Sequence, residues 1–256
     1  MDTVLERQLA TASRSVEEAR RLAYHDPIRV GTLVEQISVL ADLRQQEGDF
    51  RKAESLYREA LFRAQELRKQ DPDLLIGIYS LLAHLYDRWG RMDQAAEFYE
   101  MALSIGADNV LEDSDKVATI KNNLAMIFKQ LRKFEKAEGY YCNALEAFQR
   151  IDGEQSSRVA SVYNNLGVLY YSCMDVDRAQ AMHERALAIR QNLNDGQMDP
   201  ADLSQTFINL GAVYKASGDF QKAEACVDRA KRIRATMNGY HPNPRRSAAL
   251  LIDKSL

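Results

Sequence analysis

The sequence predicts an all-α fold, an α-solenoid of stacked antiparallel helix pairs, and three observations carry that prediction. Apolar residues within the chain recur at helical spacing. Only 5 prolines and 12 glycines occur in 256 residues, which favours helix nearly throughout. A pair of alanines seven residues apart recurs at offsets of 42, 42, 42 and 44 residues: Ala53/Ala60, Ala95/Ala102, Ala137/Ala144, Ala179/Ala186 and Ala223/Ala230. A period of this size indicates a stacked array in which each repeat contacts mainly its neighbours.

The phase of the repeat predicts the order of elements. An N-terminal capping helix, a half-repeat, is expected over 1–27, because apolar residues there reproduce the second-helix spacing of the first repeat at an offset of 41. A C-terminal capping helix is expected over 241–256. Between them we expect five repeats, at about 28–70, 71–112, 113–154, 155–197 and 198–240.

Each repeat is predicted to be a helix, a tight turn and a second helix. The first helix carries a small residue where the partner helix must approach closely: Ala41, Ala83, Ala125, Gly167 and Gly211. Gly48, Gly90 and Gly218 mark turns that need a positive φ. Asp71-Pro72 and Asp199-Pro200 suit helix starts, with Asp as the cap and Pro in the first turn.

Composition narrows the classes of partner and compartment. Hydrophobic content of 46% with 28% charged residues is typical of a folded soluble chain. The formal net charge of -3 offers no basic excess for nucleic acid or anionic lipid. The three cysteines form no metal or disulfide framework, and no segment resembles a signal peptide or a membrane span. We therefore expect a cytoplasmic protein that binds neither nucleic acid nor membrane.

The repeat resembles a known family. The tetratricopeptide signature is Trp-x2-Leu-Gly-x2-Tyr followed by Ala-x3-Phe, and one version here runs Tyr79, Leu82, Ala83, Tyr86, then Ala95 and Tyr99. The unit of 42 residues, with Asn-Asn-Leu at 122–124 and 164–166, is similar to the kinesin-light-chain subclass of that family. The resemblance spans roughly residues 29 to 237 and implies a right-handed tetratricopeptide (TPR) superhelix that serves as a scaffold.

No catalytic or metal-binding constellation stands out. His183-Glu184 lacks a second histidine at zinc-binding spacing, and the glycine-rich phosphate and nucleophile motifs are absent from the sequence. His183 occupies an aromatic position of the repeat, so we interpret it as a packing residue. We expect no enzymatic activity, no cofactor and no metal.

The candidate site is the concave groove lined by the first helices. The position before the core leucine faces the ligand in tetratricopeptide proteins, and the resemblance implies that Asn123, Asn165 and Asn209 do so here. A carboxamide offers both donor and acceptor, so it can pair with the backbone of an extended peptide. Asn122 and Asn164 are weaker candidates. The alternative is that these asparagines are only polar surface residues.

One turn further along the same face lies a mixed strip. It comprises Gln45, Asp87, Lys129, Tyr171 and Lys215, with Arg88 adjacent to it. The strip is basic and polar from the third repeat onward, whereas the first two repeats contribute Asp42 and Asp87. It would favour a protein or peptide ligand with acidic groups. An ordinary solvated mixture of charges explains the same residues.

The leading hypothesis is a non-catalytic scaffold that binds an extended peptide or protein segment in the groove. The alternative is a self-assembling homo-oligomer, motivated by Leu250, Leu251 and Ile252, which would lack a second helix to cover them.

Overall fold

A computed structural model describes residues 3–25, 29–66, 71–109, 114–194, 196 and 198–237. Those residues form eleven α-helices: α1 (Thr3–His25), α2 (Val30–Glu47), α3 (Phe50–Glu66), α4 (Pro72–Arg88), α5 (Met92–Asp108), α6 (Asp115–Gln130), α7 (Phe134–Asp152), α8 (Ser157–Ser172), α9 (Val176–Asn192), α10 (Pro200–Ala216) and α11 (Phe220–Thr236). The expected C-terminal capping helix, with Leu250, Leu251 and Ile252, lies outside the described residues.

The helices divide into two compact units, Met1–Leu131 and Arg132–Leu256. In the first unit, α2 pairs with α3 and α4 with α5, α1 packs on α2, and α6 packs on α5. In the second unit, α8 pairs with α9 and α10 with α11, and α7 packs on α8. Each pair corresponds to one sequence repeat, and its two members are called the first and second helix below. By sequence position, α6 and α7 are the first and second helix of the third repeat.

The predicted close approach of the paired helices is confirmed. Most of the repeated alanines have no exposed surface, and the most exposed of them, Ala223, is 9% exposed. On the first helices Ala41, Ala83 and Ala125 are also fully buried. The large residues beside them, such as Tyr57 and Tyr86, fill the remaining interior. Alternation of small and large side chains therefore sets the packing of each pair.

The helix starts follow their predicted caps. Asp71 Oδ1 accepts a hydrogen bond from the Leu74 amide at 2.9 Å, and Asp199 Oδ1 accepts one from the Ala201 amide at 2.8 Å. In both cases proline occupies the first turn. Ser114 and Ser156 cap α6 and α8 in the same way.

The turn inside each repeat places one residue in the left-handed region. Gly48, Gly90 and Gly218 have φ of 89°, 78° and 85°, as predicted. The equivalent residues of the third and fourth repeats are Arg132, with φ of 57°, and Met174, with φ of 62°. The third and fourth repeats therefore make this turn with a residue other than glycine, which costs free energy.

Consecutive repeats are joined by a hydrogen bond from a tyrosine on a first helix to a glutamate on the preceding second helix. The hydroxyls of Tyr86, Tyr170 and Tyr214 donate to Glu54, Glu138 and Glu184 at 2.6, 2.7 and 2.9 Å. Burial, then the glutamate bond, raises the pKa of Tyr170 and that of Tyr214 to about 12. Between α5 and α6 the residues at the corresponding repeat positions are Ala96 and Phe128, both buried.

Helix α1 is attached to its unit by apolar packing and by an ion pair. Its apolar side is buried, and Arg20 reaches across to α3, where Nε and Nη2 donate to the two carboxylate oxygens of Glu59 at 2.9 and 2.6 Å. A bidentate arginine–carboxylate pair of this kind fixes the relative orientation of the two side chains as well as their distance.

Candidate functional site

In the second unit, carboxamide side chains of neighbouring first helices meet. Asn209 on α10 donates through Nδ2 to Oδ1 of Asn164 on α8 at 3.0 Å, and its own Oδ1 accepts from Gln205 Nε2 at 3.1 Å. Asn209 is half-buried, whereas Asn164 is fully buried and Asn165 is 6% exposed. The structure thus brings Asn164 and Asn209 together, with Asn209 as the more accessible of the two.

Asn164 is held from the interior by a histidine. Nδ1 of His183, on α9, lies 3.1 Å from Asn164 Oδ1, and the ring is 1% exposed. Burial, and then the charge of Arg190, lowers the pKa of His183 to about 4, so the imidazole is neutral near pH 7. The interpretation of His183 as a buried packing residue is confirmed, and its bond to Asn164 was not predicted.

Gly167 makes room for that ring. A Cβ added at Gly167 would lie 2.6–2.7 Å from three atoms of the His183 ring. At the same two repeat positions, the sequence of the earlier repeats has alanine on the first helix and tyrosine on the second: Ala41 and Tyr57, Ala83 and Tyr99, Ala125 and Tyr141. In the fourth repeat, glycine therefore replaces the alanine and histidine replaces the tyrosine.

In the first unit, Asn123 is half-buried on α6 and accepts a hydrogen bond from Asn122 Nδ2 at 3.3 Å. It also forms a hydrogen bond with the hydroxyl of Tyr99, on the second helix of the preceding repeat. Burial dominates there and raises the pKa of Tyr99. Asn122 is buried. Asn123, like Asn209, is the more accessible member of its local amide group.

The strip of the first helices is only partly accessible. Arg88 and Lys215 are exposed at the ends of α4 and α10, and Lys129 and Tyr171 are half-buried on α6 and α8. Gln45 was expected on this exposed strip, and that prediction is wrong, because its side chain is buried.

The acidic residues of the strip are Asp42, which is exposed on α2, and Asp87, which is half-buried on α4. Asp42 Oδ1 accepts the hydroxyl of Tyr57, so this carboxylate is engaged within the first repeat. Burial raises the pKa of Asp87. Both signs of charge therefore reach solvent: Asp42 is exposed in the first repeat, and Arg88 and Lys215 are exposed further along the strip.

Sequence reasoning missed a buried arginine that joins three helices of the second unit. Arg190, on α9, is 2% exposed. Its Nη1 donates to the carbonyl of Asp202 at 2.8 Å and to the hydroxyl of Thr206, both on α10. Its Nη2 donates to the hydroxyl of Ser161, on α8, at 3.2 Å. A signal did exist, because the equivalent positions of earlier repeats are Ala64, Gly106 and Phe148. A charge at a repeat position otherwise small or apolar indicates a buried polar network.

None of the helices in the described ranges is both long enough and apolar enough to cross a bilayer. Among the same residues, no group of three or more histidine, cysteine or acidic side chains is placed to hold a metal ion.

Comparison with protein-family models identifies tetratricopeptide repeats over residues 35–107, 116–192 and 204–236. A search of the curated proteins found no match. Among solved structures, BtubC (BKLC) from P. vanneervenii is 90% identical, with a TM-score of 0.87, over 99% of this chain and 100% of that one.

Two more distant structures bear on the fold alone. A kinesin light chain with nearly identical TPR-like repeats, described as putative, from Podosopora anserina is 17% identical with a TM-score of 0.68, over 81% of this chain and 98% of that one. MamA is 18% identical with a TM-score of 0.55, over 78% and 98% of the two chains. These likenesses confirm the α-solenoid class. The chain belongs to the tetratricopeptide repeat family, with repeats of the kinesin-light-chain-like kind.

Proposed function

We propose that this chain is a non-catalytic scaffold that binds an extended peptide or protein segment along its first helices. Tetratricopeptide repeats are protein–protein interaction modules, and the choice of surface rests on one observation. The bond between Asn209 and Asn164 places carboxamides of consecutive first helices side by side in the second unit. Asn164 is buried, so Asn209 is the carboxamide of this pair that can meet a peptide unit of an extended chain.

Asn123 and Asn209 are the proposed ligand contacts. A carboxamide has two N–H donors and two acceptor lone pairs. The bonds of Asn209 to Asn164 and Gln205 use one of each. One donor and one acceptor position then serve a peptide N–H and C=O. Asn165, at 6% exposure, offers a ligand little surface, so its contribution to binding is expected to be smaller.

Positive charge near these carboxamides favours acidic ligands. Arg88 and Lys215 are exposed, and Lys129 adds a third cation on α6. Asp42 is exposed on the first repeat, so it opposes these cations only where the strip begins, and Asp87 is half-buried. Exposed charges act mainly on association rate and on choice of partner. The proposed ligand is therefore an extended segment that carries carboxylates.

The test is binding by the Asn123→Ala/Asn209→Ala double variant. A partner captured from lysate by the wild-type chain is identified, and its affinity is then measured by calorimetry. Loss of two hydrogen bonds, at about 0.5–1.5 kcal/mol each, is expected to weaken binding by about 5-fold to 150-fold. Asn143→Ala is the matched control, because Asn143 is exposed on the second helix α7. Equal affinity for the double variant and the wild type would remove this surface from the proposal.

A charge reversal tests the acidic preference separately. Lys215→Glu is expected to slow association with the captured partner, and the difference from wild type is expected to shrink as salt is raised. Arg232→Glu, on the exposed part of α11, makes the same change in net charge away from the first helices. If both reversals slow association equally, net charge explains the effect and the basic strip does not.

A further inference from the structure

We propose that His183 is a positioning residue for the carboxamides of α8 and α10. Through Asn164, the buried imidazole determines which way Asn209 presents its amide to the outside. The hydrogen-bond arrangement stands on the structure of the unliganded chain. Its use in ligand binding rests on the proposed function.

The Oδ1 atom of Asn164 is close to two nitrogen atoms. It lies 3.1 Å from His183 Nδ1 and 3.0 Å from Asn209 Nδ2. With the proton on Nδ1, the imidazole donates to this oxygen, which then accepts two hydrogen bonds. If the Asn164 amide turned over, its NH2 group would face two donors. The Nδ1–H form of His183 therefore selects one orientation of Asn164.

The orientation of Asn164 determines the orientation of the Asn209 amide. Since Asn164 presents an oxygen, Asn209 must present its NH2 group to α8 and its Oδ1 to Gln205, as the 3.0 and 3.1 Å distances show. Asn209 is half-buried, so its remaining donor and acceptor capacity is directed by this arrangement toward the accessible side. The buried end of the chain of bonds is His183, and the accessible end is Asn209.

Close packing holds the His183 ring in its place. The ring lies against Gly167 so closely that a Cβ there would be 2.6–2.7 Å from it, and it is 1% exposed. Water cannot compete for the bond to Asn164 at that depth. Where earlier repeats carry tyrosine, the hydroxyl reaches other polar residues of the first helices, Asp42 for Tyr57 and Asn123 for Tyr99.

The rival explanation is packing alone, in which His183 fills the space above Gly167 and its bond is incidental. The two are separated by the protonation state of the wild-type ring. Long-range ¹H–¹⁵N NMR of the full chain distinguishes the two neutral tautomers of His183. We expect the Nδ1–H form near pH 7. Finding the Nε2–H form overturns the proposal, and this measurement needs no variant to fold.

The side-chain amide of Asn209 gives the second readout. In a chain with ¹⁵N-labelled asparagine, His183→Leu is expected to speed exchange of the Asn209 NH2 protons with water roughly fivefold, the effect of about one lost hydrogen bond. His183→Gln restores a donor and is expected to restore slow exchange. Tyr141→Phe is the control, since Tyr141 holds the same repeat position on α7. Asn209 exchange unchanged in His183→Leu, or unchanged between Leu and Gln, overturns the proposal.

Both measurements use the unliganded chain, so they separate this inference from the proposed function. If the tautomer and exchange results are as expected but Asn209→Ala leaves partner affinity intact, the positioning stands and the binding surface does not. If Asn209→Ala weakens binding while His183→Leu leaves Asn209 unchanged, the surface stands and the positioning role is lost.

Discussion

Replacing Gly167 by alanine is expected to destabilise the second unit, although the same change in a helix interior normally stabilises. The usual gain is about 1 kcal/mol, because glycine loses more backbone entropy on folding than alanine. At Gly167 the new Cβ meets Cε1, Nδ1 and Nε2 of His183 at 2.6–2.7 Å. The ring is buried and hydrogen-bonded to Asn164, so moving it aside would cost packing contacts and this hydrogen bond.

The magnitude follows from these opposing terms. Overpacking of an interior costs about 1–3 kcal/mol, and a strained or broken bond to Asn164 adds about 1 kcal/mol. After the gain from propensity, the free energy of unfolding is expected to fall by about 1–3 kcal/mol. Urea unfolding followed by far-UV circular dichroism measures this as a lower midpoint.

Two other glycines of the same unit provide a graded control. Nothing lies within 4 Å of a Cβ at Gly139, on the exposed side of α7, so Gly139→Ala is expected to raise the midpoint. At Gly211 the nearest atoms are 3.4 Å away, and Gly211→Ala is expected to be nearly neutral. A Gly167→Ala variant as stable as wild type, or stabilised like Gly139→Ala, would refute the reasoning about the ring.

Three further predictions use the same unfolding measurement. Tyr170→Phe removes the hydrogen bond to Glu138 at 2.7 Å and is expected to lower the free energy of unfolding by about 1 kcal/mol, whereas Phe128→Tyr, whose repeat partner is an alanine, gains nothing. Met174→Gly relieves a φ of 62° on a side chain that is 83% exposed, so stability is expected to rise by about 1 kcal/mol; a decrease would show that the methionine contributes contacts that outweigh its backbone cost. The folded pKa of His183, about 4, is below its ordinary value of 6.5, so the unfolded chain takes up the proton first as pH falls. Wild type is therefore expected to lose up to about 3 kcal/mol between about pH 6.5 and pH 4 through this group, and His183→Gln to lose correspondingly less; identical pH dependence of the two chains would contradict the buried, neutral imidazole.

Much of the architecture could be predicted because it depends on local rules. The alanine pairs, the turn glycines and the Asp-Pro starts each act within a few residues, and all behave in the structure as their chemistry requires. The turns at Arg132 and Met174 show the limit of residue type alone. Arg132 and Met174 hold the repeat positions of the turn glycines, so the left-handed conformation follows repeat position although both side chains disfavour it.

The candidate site was predicted less completely. Successive side chains on a helix are rotated by about 100°, so two neighbouring residues can differ in burial, and which one is buried depends on how the helix is turned against its neighbours. Asn164 and Asn165 are adjacent in sequence, and spacing alone cannot decide which carboxamide is bonded inside the array. The structure engages Asn164 with His183 and Asn209, across 19 and 45 residues of chain. Arg190 is a similar case, since its partners lie on two other helices.

The amino-acid sequence by itself determined that this protein is an array of helix pairs, where each turn falls, and which small residues let the helices touch. These features depend on periodicity and on the steric needs of single residues. Only the tertiary structure decided which polar groups are engaged inside the protein and which remain accessible to a partner. That outcome depends on the rotation of each helix against its neighbours, because a buried polar atom must find its hydrogen-bond partner wherever the packing places one.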